Sequence, residues 1–350
     1  MKKHLFLLGL AVTAMSSCTN DEVLEKVQSM KKTIGFESFI NKTTRATDDI
    51  NNNTNLLKEF YVFGYYGTGT ETETEVFTNA AVLKENGEWN VKEDELWTKN
   101  KYTFAAYADG VGTGVVETTT DDDKLSNVEF SNGTLTFTNY SLKDKDLIAA
   151  HAIQDNSDGA NQDDVSLTFS HLLSKVSFKF VYTDKEHEHI KMNISNIRLN
   201  VPLTATCSSK TNSTSWNSYS GSKVYTLADQ SEVGTTAAPA EPEEFYVIPE
   251  ATIADATTLT FTVEYYDDSQ NDKPEVETRN YTLKLNTGKL KESESSTVDL
   301  SAWAANAIYN YTVNLPFDPL YIDFTVAGVS NWQNTYSPTI TPNDTPVGGN

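Results

Sequence analysis

The chain has 350 residues, 38% hydrophobic and 11% aromatic, which is enough apolar surface for packed cores; wholesale disorder is excluded and the length points to two domains. With 27 Lys and Arg against 49 Asp and Glu, the net charge of −22 repels phosphate backbones and excludes nucleic acid as a partner. Beyond the N-terminus no apolar run approaches the roughly 20 residues that span a bilayer, and two cysteines, Cys18 and Cys207, make no disulfide framework.

In chain order, Lys2 and Lys3 precede a short apolar run at residues 5–14, the layout of a secretory signal occupying residues 1–17. Met15-Ser16-Ser17-Cys18 resembles the bacterial lipobox, so Cys18 is the expected lipidation site; an ordinary signal peptide with a chance cysteine is the alternative. Several acyl chains at about 0.8 kcal/mol per buried CH₂ make a stable membrane anchor.

Residues 33–40 place Ile34, Phe36 and Ile40 on one face, interrupted by Ser38, and read as a first strand. A polar stretch, Asn41 to Asp49, follows and contains Arg45. The other arginines, Arg198 and Arg279, fall in strand-like contexts, where folded backbone resists a protease. An Arg-specific protease therefore meets one accessible bond, Arg45–Ala46, unless Arg45 is an ordinary linker arginine. Cleavage there would free the first strand and expose an unpaired edge and an apolar groove.

The body alternates with period two: Phe178, Phe180 and Tyr182; Leu259, Phe261, Val263 and Tyr265; Tyr281, Leu283 and Leu285; Tyr309, Tyr311, Val313 and Leu315. Asn86-Gly87 and Asn132-Gly133 each sit between two such runs and predict type I′ hairpins. Long amphipathic helical patterns are missing, so the expected class is all-β, most simply sandwiches. The acidic stretch from Gln154 to Asp164 marks the expected boundary between domains at 46–160 and 161–332. Segment 207–242, rich in Ser, Thr and Ala, is expected to be a long surface loop with one strand near residues 223–227. Residues 333–350 are expected to form a flexible tail.

The signatures G-x-S-x-G, G-x-x-x-x-G-K-[ST], H-E-x-x-H, C-x-x-C and G-x-G-x-x-G are missing, so no enzyme and no cofactor is expected. His187 and His189, two apart, would share one strand face and could hold a metal; the plainer account, a solvated hairpin tip, is preferred. His171 reads as a structural histidine. The clusters 121–123 and 155–159 depart from the EF-hand order and read as solvated loops.

Together these features resemble the fimbrillin family of Bacteroidales, which builds type V pili. The resemblance rests on the lipobox at Cys18 followed by Thr19-Asn20-Asp21-Glu22, an acidic stretch like that of surface-exported lipoproteins. It rests also on the strand ahead of Thr43-Thr44-Arg45-Ala46, on Phe60-Tyr61-Val62-Phe63-Gly64-Tyr65-Tyr66, and on Asp146-Leu147-Ile148-Ala149-Ala150. Further matches are Phe169-Ser170-His171-Leu172-Leu173-Ser174-Lys175-Val176-Ser177-Phe178, Trp303 with Tyr309-Asn310-Tyr311-Thr312-Val313, and Val329-Ser330-Asn331-Trp332.

The resemblance implies two transthyretin-like β-sandwich domains in tandem, and export as an outer-membrane lipoprotein exposed at the cell surface. It implies removal of residues 18–45 by an Arg-specific protease, and donor-strand exchange with other pilin subunits into a fimbrium that serves cell adhesion. Residues 46–350 carry 20 basic and 45 acidic groups, net −25, so assembly must come from backbone pairing and apolar pockets. After Trp332 the tail offers Tyr336 and Ile340 between prolines, a poor donor strand. Either the donor is the run 320–332, or the subunit caps a pilus. A non-polymerising surface lipoprotein or tip adhesin that binds glycan or host ligand through exposed tryptophans is the alternative.

Overall fold

A computed structural model describes residues 32–40, 57–67, 73–111, 124–182, 186–233, 242–272, 274–286, 289–293, 296–299, 301–315, 317, 323–331 and 334–335. Among them there is no helix, and the chain is all-β. The first strands are β1 (Phe36–Ile40), β2 (Glu59–Tyr66), β3 (Thr74–Glu85), β4 (Glu88–Val91), β5 (Lys101–Val111) and β6 (Val128–Ser131). Then come β7 (Thr134–Ser141), β8 (Asp146–Asp155), β9 (Val165–His171), β10 (Ser174–Val181), β11 (Ile190–Val201) and β12 (Thr204–Lys210). They are followed by β13 (Ser213–Ser220), β14 (Lys223–Thr226), β15 (Gln230–Val233), β16 (Glu244–Val247), β17 (Thr258–Asp267) and β18 (Glu275–Lys284). The last are β19 (Lys289–Ser293), β20 (Ser296–Asp299), β21 (Ala307–Asn314), β22 (Asp323–Asn331) and β23 (Asn334–Thr335).

Both predicted hairpins form. Asn86 and Gly87 join β3 to β4 with φ of 53° and 90°, and Asn132 and Gly133 join β6 to β7 with φ of 49° and 69°. Two successive left-handed residues match the twist of the flanking strands, which is why Asn-Gly is favoured there.

Seven strands make one sheet in the order β1-β9-β8-β5-β2-β3-β4. Strand β2 is buried on both faces: Phe60 and Val62 point to one core, Tyr61 and Phe63 to the other. A Cβ on Gly64 would lie 2.7 Å from the Phe104 ring, so this position on β2 needs a glycine to let β5 pack. The first core also takes Phe77, Val82, Phe104, Ile148, Leu167 and Phe169. Against the opposite face lies a four-stranded sheet, β13-β12-β7-β6, with Phe137 edge-on to Tyr107 at 5.5 Å.

The remaining core lies between two sheets, β16-β10-β21-β22-β23 and β14-β11-β17-β18, the latter with β15 on β11. Phe180 meets Phe261 across this sandwich at 4.9 Å, and Trp303 Nε1 donates to Tyr311 Oη at 2.7 Å inside it. Apolar contacts run unbroken from here to the outer face of β2 and β5.

Two expectations meet a different structure. The stretch from Gln154 to Asp164 connects β8 to β9 within one sheet, and Val165, Leu167 and Phe169 complete the first core, so that sheet continues past residue 160. Segment 207–242 is not a long loop: it holds the end of β12, all of β13, β14 and β15, and β12 pairs with β7. The inward residues of β12 are small, Ala205, Cys207 and Ser209. Small inward residues carry little hydropathy signal, and Trp216 is the one large anchor of β13, donating from Nε1 to the Leu172 carbonyl at 2.9 Å.

Candidate functional site

The segment 32–40 has two partners, one for each half. Phe36 to Ile40 run parallel to Val165–Phe169 of β9, in register at five positions. Just ahead, the backbone changes partner: Ile34 N–H donates to the Glu95 carbonyl at 2.8 Å, Trp97 N–H donates to the Lys32 carbonyl at 3.0 Å, and Thr33 bridges Leu96. Residues 95–97 follow β4, the far edge of the seven-stranded sheet, so this one segment joins both edges and closes the sheet around its core.

Side chains fix the segment as firmly as its backbone. Ile34 and Phe36 are 1% and 4% exposed. The Phe36 ring meets Phe60, Phe77 and Phe104 with centroids at 6.2, 5.6 and 5.8 Å, all edge-on. Burying two such residues contributes about 3–6 kcal/mol, and favourable ring pairs add about 0.5–1.5 kcal/mol each. Such burial holds the segment in place, and its departure would open the core to solvent.

A family model described as fimbrillin-like matches residues 44–332. The chain belongs to the fimbrillin-like family. Among solved structures, a fimbrial protein from Bacteroides vulgatus aligns over 86% of this chain and 99% of its own, with 15% identity and a TM-score of 0.53. A putative cell adhesion protein from Parabacteroides distasonis covers 91% and 98% at 10% identity with a TM-score of 0.46. The fimbrial anchor protein Mfa2 from Porphyromonas gingivalis covers 87% and 100% at 10% identity with a TM-score of 0.32. No curated protein matches the sequence. Membership makes this fimbrillin-like chain a fimbria-related structural protein, with an all-β fold shared with the first of these structures.

Cys18, Arg45 and Ala46 lie outside the described residues of the fimbrillin-like chain, as do residues 121–123 and Trp332. Arg198 is paired on both sides, with Thr226 and Thr260, and Arg279 stands opposite Val263. Arg279 also donates from Nη1 to the Phe317 carbonyl at 3.0 Å. Folded backbone therefore shields both from cleavage. His187 and His189 occupy a turn ahead of β11 with ring centroids 6.3 Å apart, rather than one strand face. Among the described residues no group of three or more potential ligands gathers. In the cluster 155–159, Asp155 accepts from the Ser157 N–H at 3.0 Å, a local turn. Trp97, Trp216 and Trp303 are buried, and Trp89 packs on Phe60 at 4.8 Å, so the described tryptophans form no exposed platform.

Sequence reasoning missed the second partner of segment 32–40, residues 95–97, and the acidic end of the β8–β9 connection. Neither has hydrophobic periodicity. The available signal was Gly35, an isolated glycine inside a strand pattern, which marks close approach.

A cavity of about 410 Å³ lies over β8 and β9, beneath the β12–β13 turn. His151 on its wall shares a 3.0 Å hydrogen bond with Ser209 Oγ, and burial lowers its pKa to about 4. A histidine held neutral contributes stability above its unfolded value near 6.5, and that contribution fades as pH falls toward 4. Denaturant unfolding at pH 7 and pH 4.5 checks this: His151→Gln should lose about 1–2 kcal/mol less than the parent between the two pH values. Equal losses would refute it. Behind the same cavity His171 hydrogen-bonds the Asp146 carboxylate through Nδ1, the structural role expected for it.

Proposed function

We propose that this chain is a structural pilus subunit that reaches the surface of the outer membrane as a lipoprotein anchored through Cys18. An Arg-specific protease then cuts the Arg45–Ala46 bond, residues 18–45 leave, and an extended segment from another pilin subunit takes the vacated slot. The fimbrium so built supports cell adhesion. One observation carries this reading: the segment 32–40 covers a core by pairing through β1 with β9 and through residues 32–34 with residues 95–97, and it ends at Ile40, five residues before Arg45. Membership of the fimbrillin-like family and the likeness to a fimbrial protein support it.

Within the run 320–332 considered as a donor, β22 pairs antiparallel with β21 of its own chain, Tyr309 opposite Val329 and Val313 opposite Phe324. To act as a donor elsewhere it must first leave that ladder. In this proposal β22 stays at home in a subunit that receives but has not yet given.

The Arg45→Ala chain tests the reading. It should fold, keep β1 seated and form no high-mass polymers on gels run without boiling, while the parent shows a ladder and an N-terminus at Ala46. An unchanged ladder from Arg45→Ala would refute maturation at this bond.

A further inference from the structure

Four residues of the seated segment are fixed by what faces them. Lys32 Nζ lies 2.9 Å from Asp164 Oδ1, and its backbone N–H donates to Gln162 Oε1 at 3.1 Å. Ile34 and Phe36 fill the core. Between them, a Cβ on Gly35 would stand 2.6 Å from that same Asp164 Oδ1, while the Gly35 carbonyl accepts the Val165 N–H at 2.8 Å. One carboxylate thus reads two positions at once. It binds a cation three residues ahead of the glycine, and any side chain at the glycine pushes it off that cation. Asp163 adds to the negative field at Lys32.

We propose that the slot selects its occupant by this pattern, and that the occupant in an assembly comes from a different kind of chain. That chain offers Lys or Arg, one further residue, an aliphatic side chain, Gly and an aromatic ring, in that order. The inference rests on the strand-replacement reading above and names the partner that reading requires.

A second copy of this chain cannot meet the pattern except with its own first strand. Of the 17 glycines, Gly35 and Gly87 alone have Lys or Arg three residues ahead. Gly87 is spent in the β3–β4 turn at φ 90°. Residues 292–350, which include the run proposed as a donor, hold no Lys, Arg or His. The glycine of that run, Gly328, follows Thr325, Val326 and Ala327 and precedes Val329, so it lacks both the cation and the ring.

The magnitudes separate the positions. Lys32 and Asp164 side chains are 53% and 39% exposed, so the ion pair alone discriminates about two- to fivefold. A Cβ-branched residue at the glycine must displace the carboxylate and lose the pair as well, and a lost ring leaves a void in the core. The ring therefore dominates, and the glycine and the cation, which both act through the one carboxylate of Asp164, sharpen the choice.

The test uses the full chain nicked after Arg45 by an Arg-specific protease and a fluorescent peptide of residues 30–45, followed by polarisation. The labelled peptide should enter by exchange with the resident strand. Unlabelled peptide should compete; its Lys32→Glu and Gly35→Val forms should each be about fivefold weaker, and its Phe36→Ala form weaker by about tenfold or more. A peptide of residues 318–335 should not compete. If that tail peptide competes as well as the parent, or Gly35→Val costs nothing, the selectivity proposal falls while strand replacement stands. If the parent peptide itself never enters, strand replacement falls and the selectivity with it.

Discussion

Phe36→Ala should lower the stability of the uncleaved chain by about 3–4 kcal/mol, the cost of emptying a ring from a closed aromatic cluster. Phe36 touches Phe60 on β2, Phe77 on β3 and Phe104 on β5, so its loss removes contacts with three strands at once. Urea unfolding followed by circular dichroism measures the shift, with an unchanged slope if the transition stays two-state. Phe36→Leu, which keeps most of the volume, should cost less than about 1.5 kcal/mol. A loss below about 1 kcal/mol for Phe36→Ala would mean that the strand is not part of the cooperative unit. Amide exchange distinguishes the routes: if β1 merely lifts, protection at residues 165–169 drops while the midpoint stays where it was.

Asp146→Ala is the second large effect, expected at about 3–5 kcal/mol. Asp146 and His171 side chains are 0% and 3% exposed, and their hydrogen bond ties the start of β8 to the end of β9. Truncating the acid leaves a polar imidazole buried without that partner, which costs more than the bond contributes. Asp146→Asn preserves an acceptor and should lose less. The double change Asp146→Leu with His171→Leu, apolar on both sides, should recover a large part of the loss; calorimetric melting of the three variants gives the ranking. Equal destabilisation by Asn and Ala would argue that the carboxylate itself, and neither its volume nor a neutral acceptor, is what Asp146 supplies.

Much of this architecture is written locally. Asn86-Gly87 and Asn132-Gly133 are self-sufficient turn instructions, because left-handed backbone at two successive residues admits few other pairs. The alternating runs in β17 and β21 place Phe261, Val263, Tyr309 and Tyr311 inward as period two requires. In segment 207–242 the strand expected near residues 223–227 forms as β14, but β12, β13 and β15 were illegible for the opposite reason. These strands are held by a neighbouring sheet, and residues such as Thr206, Ser208 and Thr214 are compatible with strand or loop until that neighbour is present. The slot was half legible: Ile34 and Phe36 announce a strand, but its parallel pairing with residues 165–169 spans over a hundred residues, and no local signal encodes a partner at that distance.

The uneven attachment of β9 has a kinetic consequence. It is in register with β1 at five positions and with β8 at two, Ile148 opposite His171 and Ala149 opposite Ser170. Were β1 to depart whole, β9 would lose its longer ladder and fray, and the furrow would blur before a newcomer found it. If the strand is exchanged as proposed, the weaker β9–β8 ladder would favour invasion, in which an incoming ribbon pairs first near Asp164 as the resident peels away. The speed of such a replacement depends on how early the two ribbons can overlap, and only weakly on how tightly either one is finally held.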